Sequence, residues 1–260
     1  MYPRLVHLHG NVWIFSYGVM IAVGFLVFIL FCLSHPQRKK YISQDQFLHV
    51  LFIGLLSGLF GGRLLYILSD LDAFFAAPLD ALLPWIGGFT VLGSIIGALM
   101  VVSWYLHTQK IPVLPILDLA ALYGPLFHAI SRFGCLAAGC CYGAQMTHAC
   151  WYSVIFTDPA SIAPINVPLY PTQIMMSIAS FIIFLIIRST WKKVHVIPGL
   201  ALGIFLILEN TSRFCLDFWR ADRYIMYKSL SQNQWYSLIC FIVSFVYAGY
   251  IVLKHKKQIQ

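Results

Sequence analysis

The feature that most constrains this chain is a series of apolar stretches, each close to the length of a membrane-spanning helix. A helix needs about 20 mostly apolar residues to cross the hydrocarbon core of a bilayer. Of the 260 residues, 60% are hydrophobic and only 10% are charged, against roughly 25% charged in soluble domains. The sequence therefore predicts an all-α integral membrane protein, a single transmembrane domain over residues 1–260 with about seven transmembrane helices: Val12–Leu33, Phe47–Leu68, Gly87–Leu106, Leu114–Phe133, Leu169–Ile187, Pro198–Phe214 and Gln234–Leu253.

The first apolar stretch has two interpretations. A cleaved signal peptide has a short apolar core that is followed by a small-residue cleavage site. Here the apolar part has full spanning length, and no convincing small-residue site follows it. We therefore expect a retained transmembrane helix.

The basic residues of the predicted loops indicate the orientation of the spans. One alternating set of loops contains ten Lys and Arg residues, and the opposite set contains four. Because positive charges concentrate in cytoplasmic loops, we expect the N-terminus outside and the C-terminus in the cytoplasm. The long segment 134–168 then lies at the outer face, and a plain loop is favoured over a short re-entrant helix near Phe74–Leu83. The net charge of +8 is spread over short loops, which excludes a nucleic-acid partner.

Charged residues inside the predicted spans indicate a polar site. A charge at mid-membrane costs roughly 2.5–3.5 kcal/mol even on a lenient scale, so such residues usually face a cavity or a partner. Any one of them alone could form a structural ion pair. Arg63, Arg132 and Arg213 lie toward the outer halves of their spans, and guanidiniums at similar depth predict a shared anion such as a phospholipid headgroup. Asp118 and Glu209 lie deeper and are interpreted as structural partners.

Two spacing patterns near these arginines each have two interpretations. Arg213, Asp217 and Arg220 are spaced four and three apart, so a helix would place them on one face, either as a salt-bridge ladder or as part of the site. Small residues at intervals of four mainly allow helices to pack closely, and glycines can also let a headgroup approach the backbone. Such glycines are Gly54, Gly58, Gly62, Gly93 and Gly97.

The most distinctive segment is rich in cysteine and lies where the fourth span meets the outer surface. Its ligand spacings of five, one and nine do not match the usual patterns of zinc sites, so we expect no metal. A disulfide is favoured, because the outer compartment is often oxidising. Adjacent Cys140 and Cys141 are not expected to pair with each other, which leaves Cys135 or Cys150 as a partner. His148 lies in the same segment.

Around this segment the chain resembles a family, the prolipoprotein diacylglyceryl transferases. Arg132, Gly134 and Gly143 hold their places in a frame of the same length as the family's signature. Further positions resemble the family's motifs in the same order along the chain: Ser16–Gly18, Gly61–Tyr66, Gly87–Gly93, Asp118, Tyr170–Gln173, Arg213–Arg220 and Ser231–Gln234. The resemblance implies the same seven-span fold in a bacterial inner (cytoplasmic) membrane.

The resemblance also implies a reaction. The family transfers a diacylglyceryl group from phosphatidylglycerol to the lipobox cysteine thiol of a lipoprotein precursor, leaving a thioether and glycerol phosphate. The expected partners are therefore phosphatidylglycerol or a similar anionic phospholipid, a lipoprotein precursor and the membrane, with no cofactor. The implied catalytic positions are Tyr17, Arg132, Arg213 and Asp217. Cys135 and Cys140 stand at two further positions of the signature and are candidate catalytic residues because a thiol can act as a nucleophile. The implied substrate-binding positions are Arg63, Gly134, Gly143, Pro171, Gln173 and Arg220.

The chain departs from the family at positions that handle protons. Leu92 stands where the family has a histidine, and leucine cannot move protons. Cys135, Ala138 and Cys140 replace two asparagines and a glutamate of the signature. Two histidines elsewhere could substitute as bases or be structural: His128 and His148.

Three functions follow from this pattern. The chain is either a working transferase with altered proton handling, or a paralogue that uses the same lipid cavity for another acceptor. In the paralogue, Cys135 or Cys140 would be the nucleophile. The third function is a membrane thiol–disulfide protein or a lipid-binding protein without catalysis, and a redox role would require accessible cysteines of low pKa.

Overall fold

The computed structural model describes residues 2–9, 12–76 and 88–259, and this part of the chain is mostly helical. Five of its helices are long and apolar enough to cross a membrane, which confirms the class of a helical, multi-pass membrane protein. A sixth apolar helix is shorter, and the total of seven spans and their orientation stay predictions. The helices are α1 Ser16–Ser34, α2 Pro36–Tyr41, α3 Gln44–Ser69, α4 Leu71–Ala76, α5 Val91–Thr108, α6 Val113–Ala138, α7 Thr172–Val194, α8 Leu200–Leu216 and α9 Gln232–Ile259.

The chain divides into two compact units. The larger one comprises Met1–Cys32 and Leu117–Gln260, and the smaller one comprises Leu33–Ile116. The predicted single transmembrane domain stays a prediction.

The first span begins later than predicted. Strand β2 (Val12–Phe15) pairs antiparallel with strand β1 (Arg4–His9), and α1 begins only at Ser16. β-Branched and aromatic residues favour a strand, and Ser16 ends the hairpin because both its backbone N–H and its hydroxyl donate to the Pro3 carbonyl. The apolar stretch is therefore a hairpin followed by a helix.

The predicted outer segment folds on a small core of its own. Helix α6 continues through Ala138, so the non-helical part begins at Gly139, and Leu169 belongs to a strand rather than to the fifth span. Strands β3 (Val154–Ile155) and β4 (Pro168–Leu169) pair antiparallel, and their buried side chains pack with Phe156 and Ala163. A further hairpin, β5 (Ile225–Tyr227) and β6 (Leu230–Ser231), precedes α9. Near Phe74–Leu83 the sequence predicts a plain loop, but residues 74–76 form the end of α4, so that prediction is wrong for these three residues; residues 77–83 lie outside the described residues.

Close packing in the smaller unit explains its glycines. A Cβ on Gly61 would lie 2.4 Å from the carbonyl oxygen of Gly93, and one on Gly97 would lie 2.5 Å from the carbonyl oxygen of Ser57. Such distances leave no room for a side chain between α3 and α5. The packing interpretation of the glycine pattern is therefore confirmed at these positions.

Asp118 fixes the start of α8 in the larger unit. Its carboxylate is fully buried and accepts hydrogen bonds from the backbone N–H groups of Gly199 (2.7 Å) and Leu202 (2.9 Å). The first N–H groups of a helix have no partner within the helix and carry partial positive charge. A carboxylate from α6 satisfies them here, which confirms the interpretation of Asp118 as a structural partner.

Candidate functional site

A small cleft lies between α6, α7 and α8 of the larger unit. Its volume is about 210 Å³, which includes space that is open to the surroundings of the protein. Two guanidiniums, one carboxylate and one imidazole meet there beside serine hydroxyls and two apolar side chains. The lining residues are His128, Arg132, Met176, Ser180, Glu209, Ser212, Arg213 and Leu216.

Arg132 is held in the cleft by a neighbouring histidine. Its Nε and Nη2 lie 2.9 and 2.7 Å from Nε2 of His128. Arginine only donates hydrogen bonds, so Nε2 must be the accepting nitrogen and Nδ1 must carry the proton. That Nδ1 lies 2.9 Å from the Ser180 hydroxyl and 3.4 Å from Oε1 of Glu209. His128 thus occupies the Nε–Nη2 edge of the guanidinium, and only the Nη1–Nη2 edge could bind a phosphate in a bidentate manner.

Glu209 links the second arginine to this group. Its Oε1 accepts from Nε of Arg213 at 3.1 Å, while its Oε2 is buried with no hydrogen-bond partner among the described residues. The Arg213 side chain is 47% exposed and that of Glu209 only 13%. The interpretation of Glu209 as a structural partner deep in the span is therefore incomplete, because the carboxylate faces the cleft. With His128 neutral, the two arginines and Glu209 leave one net positive charge.

Of the two interpretations of the spacing of Arg213, Asp217 and Arg220, the salt-bridge ladder is wrong, because the ion pairs of these residues are made with other partners. Helix α8 ends at Leu216 and a single 3₁₀ turn follows, so the three residues do not lie on one continuous α-helix. Asp217 is buried, accepts from the Ser231 hydroxyl and lies 3.6 Å from Arg223. Arg220 instead donates two hydrogen bonds to Asp222, at 2.8 and 2.6 Å.

Three thiols meet beside Arg132. The Sγ atoms of Cys135, Cys140 and Cys141 all lie within 4.8 Å of one another, and Nη1 of Arg132 lies 3.8 Å from Sγ of Cys135. Hydrogen bonds from the other two thiols lower the pKa of Cys141, and the guanidiniums of Arg220 and Arg132 lower it further. The same thiol contacts raise the pKa of Cys140. The cluster therefore favours one shared thiolate.

The predicted disulfide is absent. All seven cysteines lie in the part of the chain that the structure describes, and each is a free thiol. Cys150 is exposed and lies outside the cluster, where its thiol donates to the carbonyl of His148.

Other predicted site residues support this segment through the backbone. Gly134 contacts Tyr17, since a Cβ there would lie 3.2 Å from the Tyr17 backbone. A Cβ on Gly143 would lie 2.4 Å from the carbonyl oxygen of Tyr170. Gln173 donates to the Cys140 carbonyl at 2.9 Å. Pro171 is the residue that precedes α7.

Arg63 lies in the smaller unit. Its Nη1 donates to the Gly88 carbonyl at 2.7 Å, and its guanidinium lies over the rings of Tyr66 and Phe89, 5.5 and 5.6 Å from their centroids. Leu92, in the same unit, is 56% exposed. The participation of Arg63 in a shared headgroup site stays a prediction, and Gly87 lies outside the described residues.

Sequence reasoning underestimated the polar partners of the arginines. His128 and Arg132 are four residues apart on α6, and Glu209 and Arg213 are four apart on α8. Residues at this spacing are neighbours on a helix surface. The spacing alone could have singled out His128 and Glu209, whereas the Ser180 contact depends on the packing of α7 against α6.

These features define a helical membrane protein with a cationic cleft and an adjacent thiol cluster. The prolipoprotein diacylglyceryl transferase family model matches residues 3–250, and the chain belongs to this family. It is 32% identical over 243 residues to the phosphatidylglycerol–prolipoprotein diacylglyceryl transferase of Clostridium tetani, covering 94% of this chain and 95% of the relative. It is also 32% identical over 246 residues to transferase 2 of that name from Clostridium perfringens, covering 94% of both chains. A relative of the same name from Dehalococcoides mccartyi is 30% identical over 213 residues, with 82% and 80% covered.

Proposed function

We propose that this chain transfers the diacylglyceryl group of phosphatidylglycerol to the lipobox cysteine of a lipoprotein precursor. The observation that carries this proposal is the pair of arginines in the cleft, Arg132 and Arg213. A phosphodiester carries one negative charge, which matches the net positive charge of the two arginines and Glu209. Family membership and the names of the relatives support the choice of reaction.

The two arginines have different tasks in this reaction. Arg132 presents a fork that His128 holds in one orientation, so little conformational freedom is lost when a phosphate binds. Arg213 is half-exposed and can follow the phosphate as charge accumulates on the leaving oxygen. Oriented donors that strengthen their interaction in the transition state lower the activation barrier.

Glu209 can recognise the rest of the headgroup. Its buried Oε2 has no hydrogen-bond partner among the described residues, and leaving such an atom unsatisfied is costly. The glycerol headgroup of phosphatidylglycerol carries hydroxyl donors beside its phosphate. A hydroxyl bound to Oε2 would satisfy this atom and favour a glycerol headgroup over a headgroup that has no donor.

The remaining predicted site residues have positioning roles in the proposed enzyme. Gly134 and Gly143 allow close backbone contacts, and Gln173 holds the cysteine segment against α7. We further propose that the chain has seven spans in a bacterial inner membrane, with the N-terminus, the cleft and the acceptor on the outer side. Lys and Arg enrichment in the opposite loops supports this orientation.

The test is transfer of label from diacylglyceryl-labelled phosphatidylglycerol to a lipobox peptide in proteoliposomes. Loss of one oriented donor to a developing anion lowers kcat by a factor of about 10²–10³. The kcat for label transfer should therefore fall by about this factor in Arg132→Ala and in Arg213→Ala. Arg132→Lys should stay impaired, because lysine has no planar fork. Arg188→Ala is the matched control, since Arg188 is an exposed arginine of α7 that does not line the cleft.

Two outcomes would contradict the proposal. One is a wild-type protein that transfers no label although it is folded and reconstituted with both substrates. The other is full transfer by Arg132→Ala or Arg213→Ala. A peptide with serine in place of the lipobox cysteine should accept no label in any case, which confirms that the thiol is the acceptor.

A further inference from the structure

The end of α6 turns the chain back so that three cysteines face one another. Gly139 has a φ of 76°, and the backbone N–H groups of Gly139 and Cys140 both donate to the Cys135 carbonyl, at 2.9 and 3.1 Å. This is the pattern by which a left-handed residue closes a helix. Cys141 follows with a φ of 54°, a conformation that is uncommon outside glycine. Residues five and six apart in sequence thereby bring their thiols together.

The loop that carries two of these thiols is fixed from two sides. The Thr172 hydroxyl donates to the Cys141 carbonyl at 2.9 Å, and the Gln173 amide donates to the Cys140 carbonyl at 2.9 Å. Both donors are buried in the first turn of α7. On the other side, the N–H of Ala144 donates to the carbonyl of Trp219 at 2.8 Å. The thiols are therefore held together by the backbone before any ligand binds.

The spacing of the sulfur atoms is close to that of a metal-bound set. Thiolates at about 2.3 Å from a tetrahedral zinc ion lie about 3.8 Å apart. The three Sγ atoms lie within 4.8 Å of one another, so small χ1 rotations would bring them to one ion. The ligand spacing in sequence gave no hint of such a site, because the closure at Gly139 is not visible in the spacing.

The charge around the cluster suits a zinc–trithiolate group. Three thiolates and one Zn²⁺ carry a net charge of −1, and the ion's own charge must be counted in such a site. The Arg132 guanidinium lies 3.8 Å from Sγ of Cys135, and the Arg220 guanidinium is close enough to act electrostatically on Cys141. Cys140 and Cys141 are partly exposed, which leaves an approach to the ion.

We propose that Cys135, Cys140 and Cys141 bind Zn²⁺ and that its fourth coordination position takes the cysteine thiol of the lipoprotein precursor. Sites with three protein ligands and one open position are those in which zinc acts on a substrate. A thiol that coordinates zinc loses its proton, so the acceptor becomes a thiolate at neutral pH. This role rests on the proposed transferase function, whereas metal binding by the cluster does not.

The reaction balances without a redox step. The acceptor thiol releases its proton to solvent when its sulfur coordinates zinc. The sulfur then attacks the glyceryl carbon that bears the phosphate ester, so that a carbon–sulfur bond forms while the carbon–oxygen bond breaks. Glycerol phosphate leaves with the electron pair, its charge held by Arg132 and Arg213. The thioether product, a weaker ligand than a thiolate, then dissociates from the ion.

Metal binding is tested on the full-length protein, purified in detergent under reducing conditions and stripped of metal. Titration with Co²⁺ should produce a thiolate-to-cobalt charge-transfer band and the intense visible bands of a tetrahedral site, and Zn²⁺ should abolish both. Cys135→Ser, Cys140→Ser and Cys141→Ser should each weaken binding by more than about 100-fold, since the loss of a residue that only hydrogen-bonds a metal ligand already costs about 10–100-fold. Cys150→Ser is the matched control, because this exposed cysteine lies outside the cluster.

Activity distinguishes failure of this inference from failure of the proposed function. Chelation should abolish label transfer by the wild-type protein and added Zn²⁺ should restore it, a comparison that requires no variant to fold. Full transfer by metal-free protein would overturn the role of zinc in activating the acceptor thiol, and the absence of the cobalt bands or a native disulfide within the cluster would overturn the zinc site itself; either result would leave the transferase intact. Tight zinc binding without any lipidation would overturn the transferase, and with it the role of the fourth ligand.

Discussion

The capping of α8 by Asp118 gives the sharpest stability prediction. Asp118→Ala removes two hydrogen bonds from backbone N–H groups to a buried carboxylate, at 2.7 and 2.9 Å. Hydrogen bonds to charged groups contribute about 1.5–3 kcal/mol each, so the free energy of unfolding should fall by about 3–6 kcal/mol. Asp118→Asn keeps one accepting oxygen and should lose about half of that. Asp158→Ala removes one carboxylate bond in a loop, to the N–H of Ala160, and should cost about 1 kcal/mol.

Unfolding in mixed micelles with increasing dodecyl sulfate, followed by tryptophan fluorescence, measures these differences. The expected order of stability is wild type, Asp158→Ala, Asp118→Asn, then Asp118→Ala. Equal midpoints for Asp118→Ala and Asp158→Ala would refute the capping role. Loss of transfer activity by Asp118→Asn at a temperature where it remains folded would instead assign Asp118 to the chemistry.

Two further changes test packing and headgroup recognition. Gly61→Ala should destabilise the smaller unit by about 1–3 kcal/mol in the same unfolding assay, because overpacking has this cost and the new Cβ would lie 2.4 Å from a backbone carbonyl oxygen. Gly58→Ala is the control and should be tolerated, because the nearest backbone oxygen would lie 3.5 Å from its Cβ. Glu209→Gln should raise the KM for phosphatidylglycerol by about tenfold or more, because the proposed hydrogen bond from the headgroup hydroxyl to a charged carboxylate is lost, together with the orientation of Arg213. An unchanged KM would exclude Glu209 from headgroup binding.

The helices were predictable from sequence because a bilayer demands long apolar stretches. The residues at which these helices begin and end were less predictable. Residues 12–15 are apolar enough for a span, yet they form a strand because β1 pairs with them. Hydropathy measures how favourably a segment is placed in lipid, whereas the choice between strand and helix at Val12–Phe15 depends on the strand that pairs with it.

The functional site was likewise predictable from the sequence only in part. The arginines stood out because charge is costly in lipid, and the i, i+4 partners of Arg132 and Arg213 follow from helix geometry. The burial of Asp217 does not, because Ser231 is fourteen residues away and reaches it through the β5–β6 hairpin. No local pattern encodes such a contact.

Arg132 connects the two parts of the proposed chemistry. Its Nε and Nη2 point to the cleft through His128, and its Nη1 points to the thiol cluster through Cys135. A transfer from phosphate to thiol requires the reacting atoms to approach within about 3–3.5 Å, so the anion site and the thiol site must be adjacent. A single guanidinium that contacts both satisfies this condition. It also explains why cysteines in this segment are compatible with the reaction, since a guanidinium stabilises a thiolate on one side and a departing phosphate on the other.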